Sequence, residues 1–470
     1  MDLRESVRQL LREIGANRIT RSAYDTAWVA RLSELDSPLG EQALDWLRTH
    51  QLGDGSWGAE EPRYYHGRLV CTLAAMIALA RRGDARDRVR LRRAHLALEA
   101  ATKGLRADPA GETVGFEMIV PTLLAEAKDL GIIQNPGGGD GLLGQLVLRR
   151  AAKLATLPTG VVNSTVTAAF SAEMVGPEGL QLLDAENLQQ ANGSVVYSPA
   201  ATAFFALHVR RRDPAALAYL RQVAVDGAVP YVAPIEIFER AWPLWNLALV
   251  GSLDDETLAL CQPHLDFLAE EWKPGEGIAS AAGLTLVDGD DTSLTYDVLV
   301  RFSRSVDLDG VLSYGGNGHF LCYPLEANPS VSTNVHVLGA LRQAGLGSGD
   351  PLVQKVLRFL GQRQIRRLFW FDKWHASPYY PTAHAVIACA GYEDGLVGDS
   401  VRWIVETQHG DGSWGYYMPT AEETAYCLQA LIVWRRHGGL VPAGVLRRGG
   451  AWLAERARPP YPPLWIGKCL

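Results

Sequence analysis

Gln51-Leu-Gly-Asp-Gly-Ser-Trp-Gly58 returns almost letter for letter as Gln408-His-Gly-Asp-Gly-Ser-Trp-Gly415, far along the chain. Each copy follows an amphipathic helical stretch, and its Asp-Gly pair is a turn signal. We expect each Trp to fold back on the helix ends, where its indole N–H finds an acceptor. A looser relative, Gln190-Ala-Asn-Gly-Ser-Val195, lies between the copies. Repeats spaced by about 20 to 50 residues indicate a solenoid, whereas two copies this far apart indicate two related helical domains.

Amphipathic helical stretches fill the rest of the chain, and alternating β-branched runs are few. The predicted helices are Gly40–His50, Leu69–Arg82, Leu91–Thr102, Pro121–Leu130, Ala200–Arg210, Asp254–Trp272, Thr292–Phe302, Asn334–Ala344 and Thr420–His437. The pattern therefore predicts an all-α protein built of short, Gly-punctuated helices.

The composition of the 470 residues excludes several classes of protein. A net charge of -7 does not suit a binder of nucleic-acid backbones. Every apolar run is much shorter than the ~20 residues that span a bilayer, so we expect no membrane span. The first fifteen or so residues have amphipathic helix spacing rather than a signal-peptide core, which predicts a cytoplasmic protein. The 6 cysteines form no C-x-x-C pair, which argues against structural zinc and against a disulfide framework.

Three carboxylates, Asp288, Asp290 and Asp291, lie between an apolar approach and an apolar helical stretch. As a helix N-cap, Asp291 or Thr292 would suffice, and the other acids would be surplus. A calcium loop does not fit, because glycine and the final acid are missing at the required positions. Carboxylates packed in an apolar site cannot all ionise, so at least one should hold a proton at neutral pH. The cluster therefore predicts a general acid, whose carboxylate form a cationic His or a neighbouring acid can stabilise.

With this Asp-x-Asp-Asp motif in hand, the chain resembles the class II diterpene cyclases of the copalyl diphosphate synthase type, nearly from end to end. The matching pieces, in family order, are Ser22-Ala-Tyr-Asp-Thr-Ala-Trp-Val-Ala30, both Gln-x-x-Asp-Gly-Ser-Trp elements, Gly115-Phe-Glu117, Asn192-Gly-Ser-Val-Val-Tyr-Ser-Pro199, Asp372-Lys-Trp-His-Ala-Ser-Pro-Tyr-Tyr380 and Leu464-Trp-Ile-Gly-Lys468. Three further segments are similar to the bacterial halimadienyl (tuberculosinyl) diphosphate synthases, namely Ala168-Ala-Phe-Ser171, Glu236-Ile-Phe-Glu239 with Trp242 and Trp245, and Ser332-Thr-Asn-Val-His-Val-Leu338.

The resemblance implies two α-barrel domains, called β and γ, with the active site between them. The β domain would comprise residues 1–18 and 252–470 and would carry the Asp-x-Asp-Asp motif, and the inserted γ domain would comprise residues 19–251. One Gln-x-x-Asp-Gly-Ser-Trp element then falls in each domain.

The resemblance also implies the chemistry, which is protonation of the terminal double bond of geranylgeranyl diphosphate by Asp290. Asp288 and Asp291 would shape its proton affinity and orientation, and His336 would be its cationic partner. The diphosphate would be retained, with Mg²⁺ bridging it to Glu112. The family's diphosphate-side lysines match Lys153, Lys373 and Lys468. No Asp-Asp-x-x-Asp motif occurs, so ionisation of the diphosphate is not expected, and a separate class I synthase or phosphatase would process the product.

Aromatic side chains would form the walls around the carbocation, because their faces attract positive charge. The candidates are Tyr197, Trp242, Trp245, Tyr296, Trp374, Tyr379, Tyr380 and Trp414. Plant ent-copalyl synthases remove the last proton with a His and an Asn, whose places hold Phe170 and Tyr231 here. Without that base, we expect hydride and methyl shifts to give a rearranged halimane or clerodane diphosphate.

Other interpretations remain open from the sequence. An unrearranged copalyl product and a drimenyl-type cyclisation of farnesyl diphosphate are alternatives within the same chemistry. A triterpene cyclase shares the Asp-x-Asp-Asp motif but would be longer and would carry more Trp turns. A helical scaffold without catalysis would explain the Trp turns, although it would not explain three carboxylates in an apolar frame.

Overall fold

A computed structural model describes residues 3–16, 19–109, 111–133, 141–324, 326 and 328–470. These residues form helices and turns with no β-strand among them, which confirms the predicted all-α class. They divide into two compact units, each described by itself below. No helix of the described part of the chain is both long and apolar enough to cross a lipid bilayer.

One unit, here called the insert unit, comprises the described residues of 19–234, 283–286 and 463–470. Its helices are α2 (Ala23–Ala30), α3 (Ser37–Thr49), α4 (Tyr65–Arg82), α5 (Arg88–Gly104), α6 (Phe116–Asp129), α7 (Leu142–Thr156), α8 (Pro199–Phe204) and α9 (Pro214–Val223). Helices α2, α4, α6 and α8 close a ring together with the 3₁₀ segment Thr167–Val175, and α3, α5, α7 and α9 pack outside it. The unit is therefore a barrel of inner and outer helices.

The other unit, here called the carboxylate unit, comprises the described residues of 1–18, 235–282 and 287–462. Its helices are α1 (Leu3–Glu13), α10 (Glu236–Ala248), α11 (Asp255–Glu271), α12 (Gly289–Arg301), α13 (Asp309–Leu312), α14 (Val331–Gln343), α15 (Pro351–Arg363), α16 (Tyr379–Cys389), α17 (Asp394–Glu406), α18 (Ala421–Arg436) and α19 (Ala443–Arg456). Helices α10, α12, α14, α16 and α18 follow one another around a ring. A 2.6 Å hydrogen bond from Gln429 Nε2 on α18 to Asn246 Oδ1 on α10 closes it. The odd-numbered helices pack outside, so this unit is a second barrel.

The division by contacts differs from the predicted boundaries at three places, one of which is residues 283–286, which lie in the insert unit instead of the predicted β domain. Helix α10 lies in the carboxylate unit because it packs on α11 and α12, whereas the prediction placed residues 235–251 in the inserted domain. Residues 463–470 lie in the insert unit, where Lys468 bonds to Glu173 at 2.7 Å.

The Trp turns hold helix ends as predicted. Trp57 Nε1 donates to Leu47 O at 2.8 Å, and Trp414 Nε1 donates to Ile404 O at 2.7 Å, which confirms the expected satisfaction of the indole. Trp370 makes the same bond to Leu360 O at 2.8 Å, in a turn that the sequence analysis did not find.

The looser relative of the Trp turn needs a correction of register. Its turn is closed by Gln189, whose Nε2 donates to Gly193 O at 2.8 Å. Gln51 makes the equivalent bond to Gly55 O at 2.8 Å in the first copy. The prediction began the element at Gln190, one residue too late, and that side chain bonds to Thr285 instead.

Candidate active site

The carboxylate cluster forms the first turn of α12. Asp288 is the N-cap, and its Oδ1 accepts the backbone N–H groups of Asp290 at 2.9 Å and Asp291 at 2.8 Å. The helix predicted over Thr292–Phe302 therefore begins three residues earlier, at Gly289, and Asp288 is its cap. A helix N-terminus favours negative charge, which suits a first turn that contains two more acids.

Close packing fixes the position of this turn. A Cβ on Gly289 would lie 2.4 Å from the carbonyl oxygen of Leu321, so only glycine fits there. The Gly289 N–H donates to Cys322 O at 2.8 Å. Thr292 Oγ1 accepts the Ile278 N–H at 3.0 Å. These contacts give the acid cluster a rigid backbone.

Burial changes the protonation of two of the three acids. Asp288 and Asp291 are 2% and 6% exposed. Loss of hydration raises the pKa of Asp288 to about 7. Loss of hydration and the adjacent Asp288 carboxylate raise the pKa of Asp291 well above its usual value. We therefore assign one shared proton to this pair at neutral pH, with Asp291 as its main holder.

Asp290 faces a histidine instead of the other two acids. Its Oδ1 lies 2.7 Å from Nδ1 of His336 on α14, 46 positions later in the sequence. Both side chains are buried, with exposed fractions of 9% for Asp290 and 4% for His336. The structure thus brings together the acid and the histidine that the sequence analysis paired.

A second histidine lies behind the first. Nε2 of His336 is 3.0 Å from Nδ1 of His384 on α16, a residue that the sequence analysis did not single out. The three side chains form one line of contacts, Asp290 to His336 to His384.

Aromatic rings surround the two histidines. The ring of Trp242 meets that of His336 edge to face at 5.7 Å between centroids, and Tyr380 lies 6.4 Å from it. Trp245 stacks on His384 at 4.5 Å, and its Nε1 donates to Asp297 Oδ2 at 2.8 Å. Three of the predicted wall residues therefore border this site.

Other predicted wall residues of the carboxylate unit have different neighbours. Tyr296 lies beside Trp272 at 6.2 Å between centroids. Trp374 carries the ammonium of Lys373 over its ring at 4.7 Å. Tyr379 stacks on Trp403 at 4.8 Å, and Trp414 belongs to its turn.

Comparisons with known proteins show which family the chain belongs to. Residues 324–434 match the squalene-hopene cyclase C-terminal domain. The chain is 46% identical over 479 residues to the Type B diterpene cyclase of Mycobacterium tuberculosis (strain ATCC 25618 / H37Rv), covering 99% of this chain and 95% of that protein. The chain belongs to the class II diterpene cyclase family. It is also 32% identical over 452 residues to the ent-copalyl diphosphate synthase of Streptomyces sp. (strain KO-3988), with 91% of this chain and 84% of that protein covered.

A solved structure agrees with this assignment. The ent-copalyl diphosphate synthase from Streptomyces platensis superposes with a TM-score of 0.77 at 31% identity, covering 99% of this chain and 96% of the other. The resemblance proposed from the motifs is therefore confirmed for the family, for the fold class and for the class of enzyme.

Within the insert unit of the cyclase, Glu112 has an acidic and a basic neighbour. Reduced hydration, and then the negative charge of Glu117, raise the pKa of Glu112. Lys153 forms an ion pair with Glu117 and is 54% exposed in its side chain. No group of three or more His, Cys, Asp or Glu side chains able to hold a metal occurs in the described ranges, so any cation here would rest on few protein ligands.

Two predicted diphosphate lysines are paired with protein carboxylates. Lys373 forms an ion pair with Glu326 and donates to Asn328 O at 2.7 Å. Lys468 is fully buried, and its Nζ lies 2.7 Å from both Glu173 Oε1 and Ser198 Oγ. Their predicted role toward a diphosphate stays a prediction.

The two positions expected to lack the terminating base lie in the insert unit. The ring of Phe170 lies 4.7 Å from Lys468 Nζ. Tyr231 packs against Gly467, and burial raises its pKa to about 12, so its phenol is neutral. Tyr197, the wall candidate of this unit, is 4% exposed and accepts the Tyr219 hydroxyl at its backbone carbonyl.

Sequence reasoning missed two residues that contact the predicted site. His384 sits alone in the apolar segment Thr382-Ala-His-Ala-Val386, where no spacing indicates a partner. Asp297 lies two helical turns after Asp290 on α12, and this spacing is the signal that could have placed both on one face.

Proposed function

We propose that this cyclase protonates the terminal double bond of geranylgeranyl diphosphate with Asp290 and forms a bicyclic diterpenyl diphosphate. The contact between Asp290 Oδ1 and His336 Nδ1, 2.7 Å long and buried, is the observation that carries the proposal. The names of the relatives support it, since they include a diterpene cyclase and ent-copalyl diphosphate synthases.

The protonation step conserves atoms and charge. The double bond takes the proton of Asp290, the O–H electron pair stays on the carboxylate, and a tertiary carbocation forms. Ring closure moves alkene electrons onto this cation, and loss of a C–H proton ends the reaction. The substrate and the product are therefore isomers.

The neighbours of Asp290 favour release of its proton. An imidazolium at His336 would donate to the carboxylate as it forms, which stabilises that charge. Because Asp288 and Asp291 share a proton, they add only one negative charge beside it.

Aromatic faces around the site suit a carbocation. Trp242, Trp245 and Tyr380 lie around His336. A buried aromatic face can attract a cation by about 2 kcal/mol or more. Such walls stabilise the charge but do not quench it.

The predicted Mg²⁺ fits the pair of Glu112 and Glu117. Mg²⁺ commonly uses one or two carboxylates and completes its shell with substrate phosphate oxygens and water. The raised pKa of Glu112, caused in part by the charge of Glu117, is the repulsion that a cation would relieve. When bound, the metal supplies charge neutralisation for the diphosphate, and Lys153 adds a donor beside it.

The residues at the two positions where a terminating base was expected favour a rearranged product of the halimane or clerodane type. Phe170 offers no base, and the raised pKa of Tyr231 makes a phenolate base inaccessible at neutral pH. A cation that is not quenched early can undergo hydride and methyl shifts. A copalyl product without rearrangement is the alternative, and substitution Phe170→His should shift the output toward it. Recovery of mainly copalol from the wild-type product after phosphatase treatment would contradict the rearrangement.

The proposal is tested by incubation with geranylgeranyl diphosphate and Mg²⁺, and with farnesyl diphosphate in parallel. We expect the wild type to form a cyclic diphosphate from the C20 substrate, and Asp290→Asn to lose at least about 100-fold in kcat, the usual scale for removing a general acid. Asp309→Asn, an exposed acid on α13, is the matched control and should keep wild-type turnover. Unchanged turnover in Asp290→Asn would refute the acid assignment. Preference for farnesyl diphosphate would favour the drimenyl alternative, and no turnover of either would indicate another substrate.

A product that keeps its diphosphate needs a further enzyme. A class I synthase that ionises the diphosphate, or a phosphatase that hydrolyses it, are the two classes of reaction that would consume it.

A further inference from the structure

His384 occupies the far side of His336 from Asp290. Its Nδ1 is 3.0 Å from His336 Nε2, and its side chain is 1% exposed. Because His336 already directs Nδ1 at Asp290, the contact with His384 occupies its second ring nitrogen.

The surroundings of His384 keep its ring neutral. Trp245 stacks on it at 4.5 Å, Tyr380 lies at 4.5 Å, and Tyr426 meets it edge to face at 5.4 Å. Burial, and then the nearby His336 and His375, hold the pKa of His384 well below its usual value. A neutral imidazole has one N–H and one lone pair, so its two nitrogens play opposite roles.

The far nitrogen of His384 has no direct protein partner. Nε2 is buried and makes no hydrogen bond to any residue that the structure describes. The His384 side chain lines a cavity of about 20 Å³ together with Asp297, Arg301 and Arg342. A volume of this size holds one water, and the polar side chains around it supply the partners that a buried water needs.

We propose that His384 is a positioning residue of the protonation machinery. Its Nδ1 accepts the Nε2–H of His336, and its own Nε2–H is held by a water in the cavity. This arrangement fixes His336 with a proton on each nitrogen and keeps Nδ1–H directed at Asp290. The proposal rests on the proposed role of Asp290 as the acid.

The acceptor acts on the charge state of His336. An imidazolium needs two acceptors for its two N–H groups, whereas a neutral imidazole needs only one. His384 supplies the second acceptor inside an apolar wall, where an unpaired N–H would be costly. Loss of that acceptor should therefore favour loss of the second proton from His336, and with it weaker support for the Asp290 carboxylate.

Other charged or titratable groups also face the two histidines. From α12 these are Asp290, Asp297 and Arg301. Arg342 comes from α14, Tyr380 from α16 and Tyr426 from α18, and His375 precedes α16. From α10 come only the uncharged rings of Trp242 and Trp245. Substitutions at His384 leave all of these in place, so a shifted pH profile reports the histidine contact.

Three variants of His384 separate hydrogen bonding from packing. His384→Asn places an amide oxygen near the position of Nδ1 and keeps the acceptor. His384→Gln keeps the size of the side chain but places its amide near Nε2, and His384→Leu removes both. Ile387→Ala, on the same cavity wall, is the control for lost packing.

We expect His384→Leu to lower kcat about 10- to 100-fold, the effect of removing a hydrogen bond to a charged group. KM should change by less than about twofold, since His384 acts through His336. In the pH profile of kcat for this variant, the decrease on the alkaline side should occur at a lower pH than in wild type, because His336 loses its second proton more readily. His384→Asn should recover most of kcat and the wild-type pH profile, and His384→Gln should not.

Equal losses in the Asn and Gln variants, with an unchanged pH profile, would overturn the proposal and assign a packing role like that of Ile387. Wild-type kcat in His384→Leu would also overturn it. If His384→Leu does not fold, the comparison of Asn with Gln decides. Asp290→Asn is measured in the same assay. Full activity of Asp290→Asn would refute the proposed function. An inactive Asp290→Asn together with a fully active His384→Leu would refute only the inference about His384.

Discussion

Substitution Glu173→Gln should destabilise the insert unit strongly, because it removes the carboxylate that pairs with the buried ammonium of Lys468. Lys468 is 0% exposed, and the Glu173 side chain is 1% exposed. Removing one partner of such a buried pair costs about 3–5 kcal/mol. In a unit of roughly 200 residues this cost lowers Tm by about 10 °C.

The double substitution Glu173→Gln with Lys468→Met shows whether the charge is the cause. It removes the ammonium as well, and Met fills much of the space left by the lysine stem. Replacing a buried ion pair by apolar groups is often close to neutral, so we expect the double variant to recover to within about 1–2 kcal/mol of wild type. Urea and thermal unfolding of wild type, the two single variants and the double variant measure the coupling free energy between Glu173 and Lys468.

The outcome of this cycle also bears on the predicted diphosphate role of Lys468. A cost below about 1 kcal/mol for Glu173→Gln, or a double variant no more stable than the single one, would refute the electrostatic reasoning. In the stable double variant, a KM for the prenyl diphosphate raised about tenfold would indicate that Lys468 also serves the substrate. An unchanged KM would leave it a structural residue.

Three further substitutions test other parts of the fold. Burial raises the pKa of Asp25 to about 6, so wild type should lose about 2 kcal/mol of unfolding free energy relative to Asp25→Asn as pH rises from about 4 to 6.5, because the unfolded chain releases this proton first. A difference in unfolding free energy between the two proteins that is the same at both pH values in urea would contradict the argument. Trp57→Phe removes the indole bond to Leu47 O and should cost about 1–3 kcal/mol in urea unfolding, whereas Trp46→Phe, a partly exposed control, should cost much less. Gly289→Ala pushes a methyl against Leu321 O and should displace the first turn of α12 at a cost of about 1–3 kcal/mol, so a variant with wild-type turnover and stability would show that the turn is not rigid.

Much of the architecture could be predicted from local signals in the sequence. Helical periodicity and the two Trp turns gave the all-α class and two domains, because both signals depend on neighbouring residues. The turn before Trp370 was not recognised because it holds Arg366, Arg367 and Leu368 where the first copy has Gly53, Asp54 and Gly55. Positive φ angles occur at Arg366 and Arg367 in this turn but at Gly55 in the first copy, so the backbone angles differ as well as the residue types.

The candidate site was predictable only in part. Asp290 and His336 were found through a motif and its spacing, and the structure places them in contact. The start of α12 was predicted three residues too late, since Asp288, Asp291 and Thr292 are all good capping residues and only the packing around Gly289 selects the first. The His336–His384 contact and the Lys468–Glu173 pair join segments that are distant in the sequence. No local sequence pattern indicates such contacts.

The order of segments along the chain has a consequence for synthesis. Helix α1 is translated before the insert unit, yet it packs on α11 of the carboxylate unit, where Arg8 bonds Asp254 at 3.1 Å. Residues 463–470 are translated after nearly all of the chain, yet they bring Lys468 to Glu173. During synthesis, Glu173 therefore lacks its ion-pair partner until residue 468 has been added to the chain. The insert unit consequently cannot complete its folding as an independent domain early in translation.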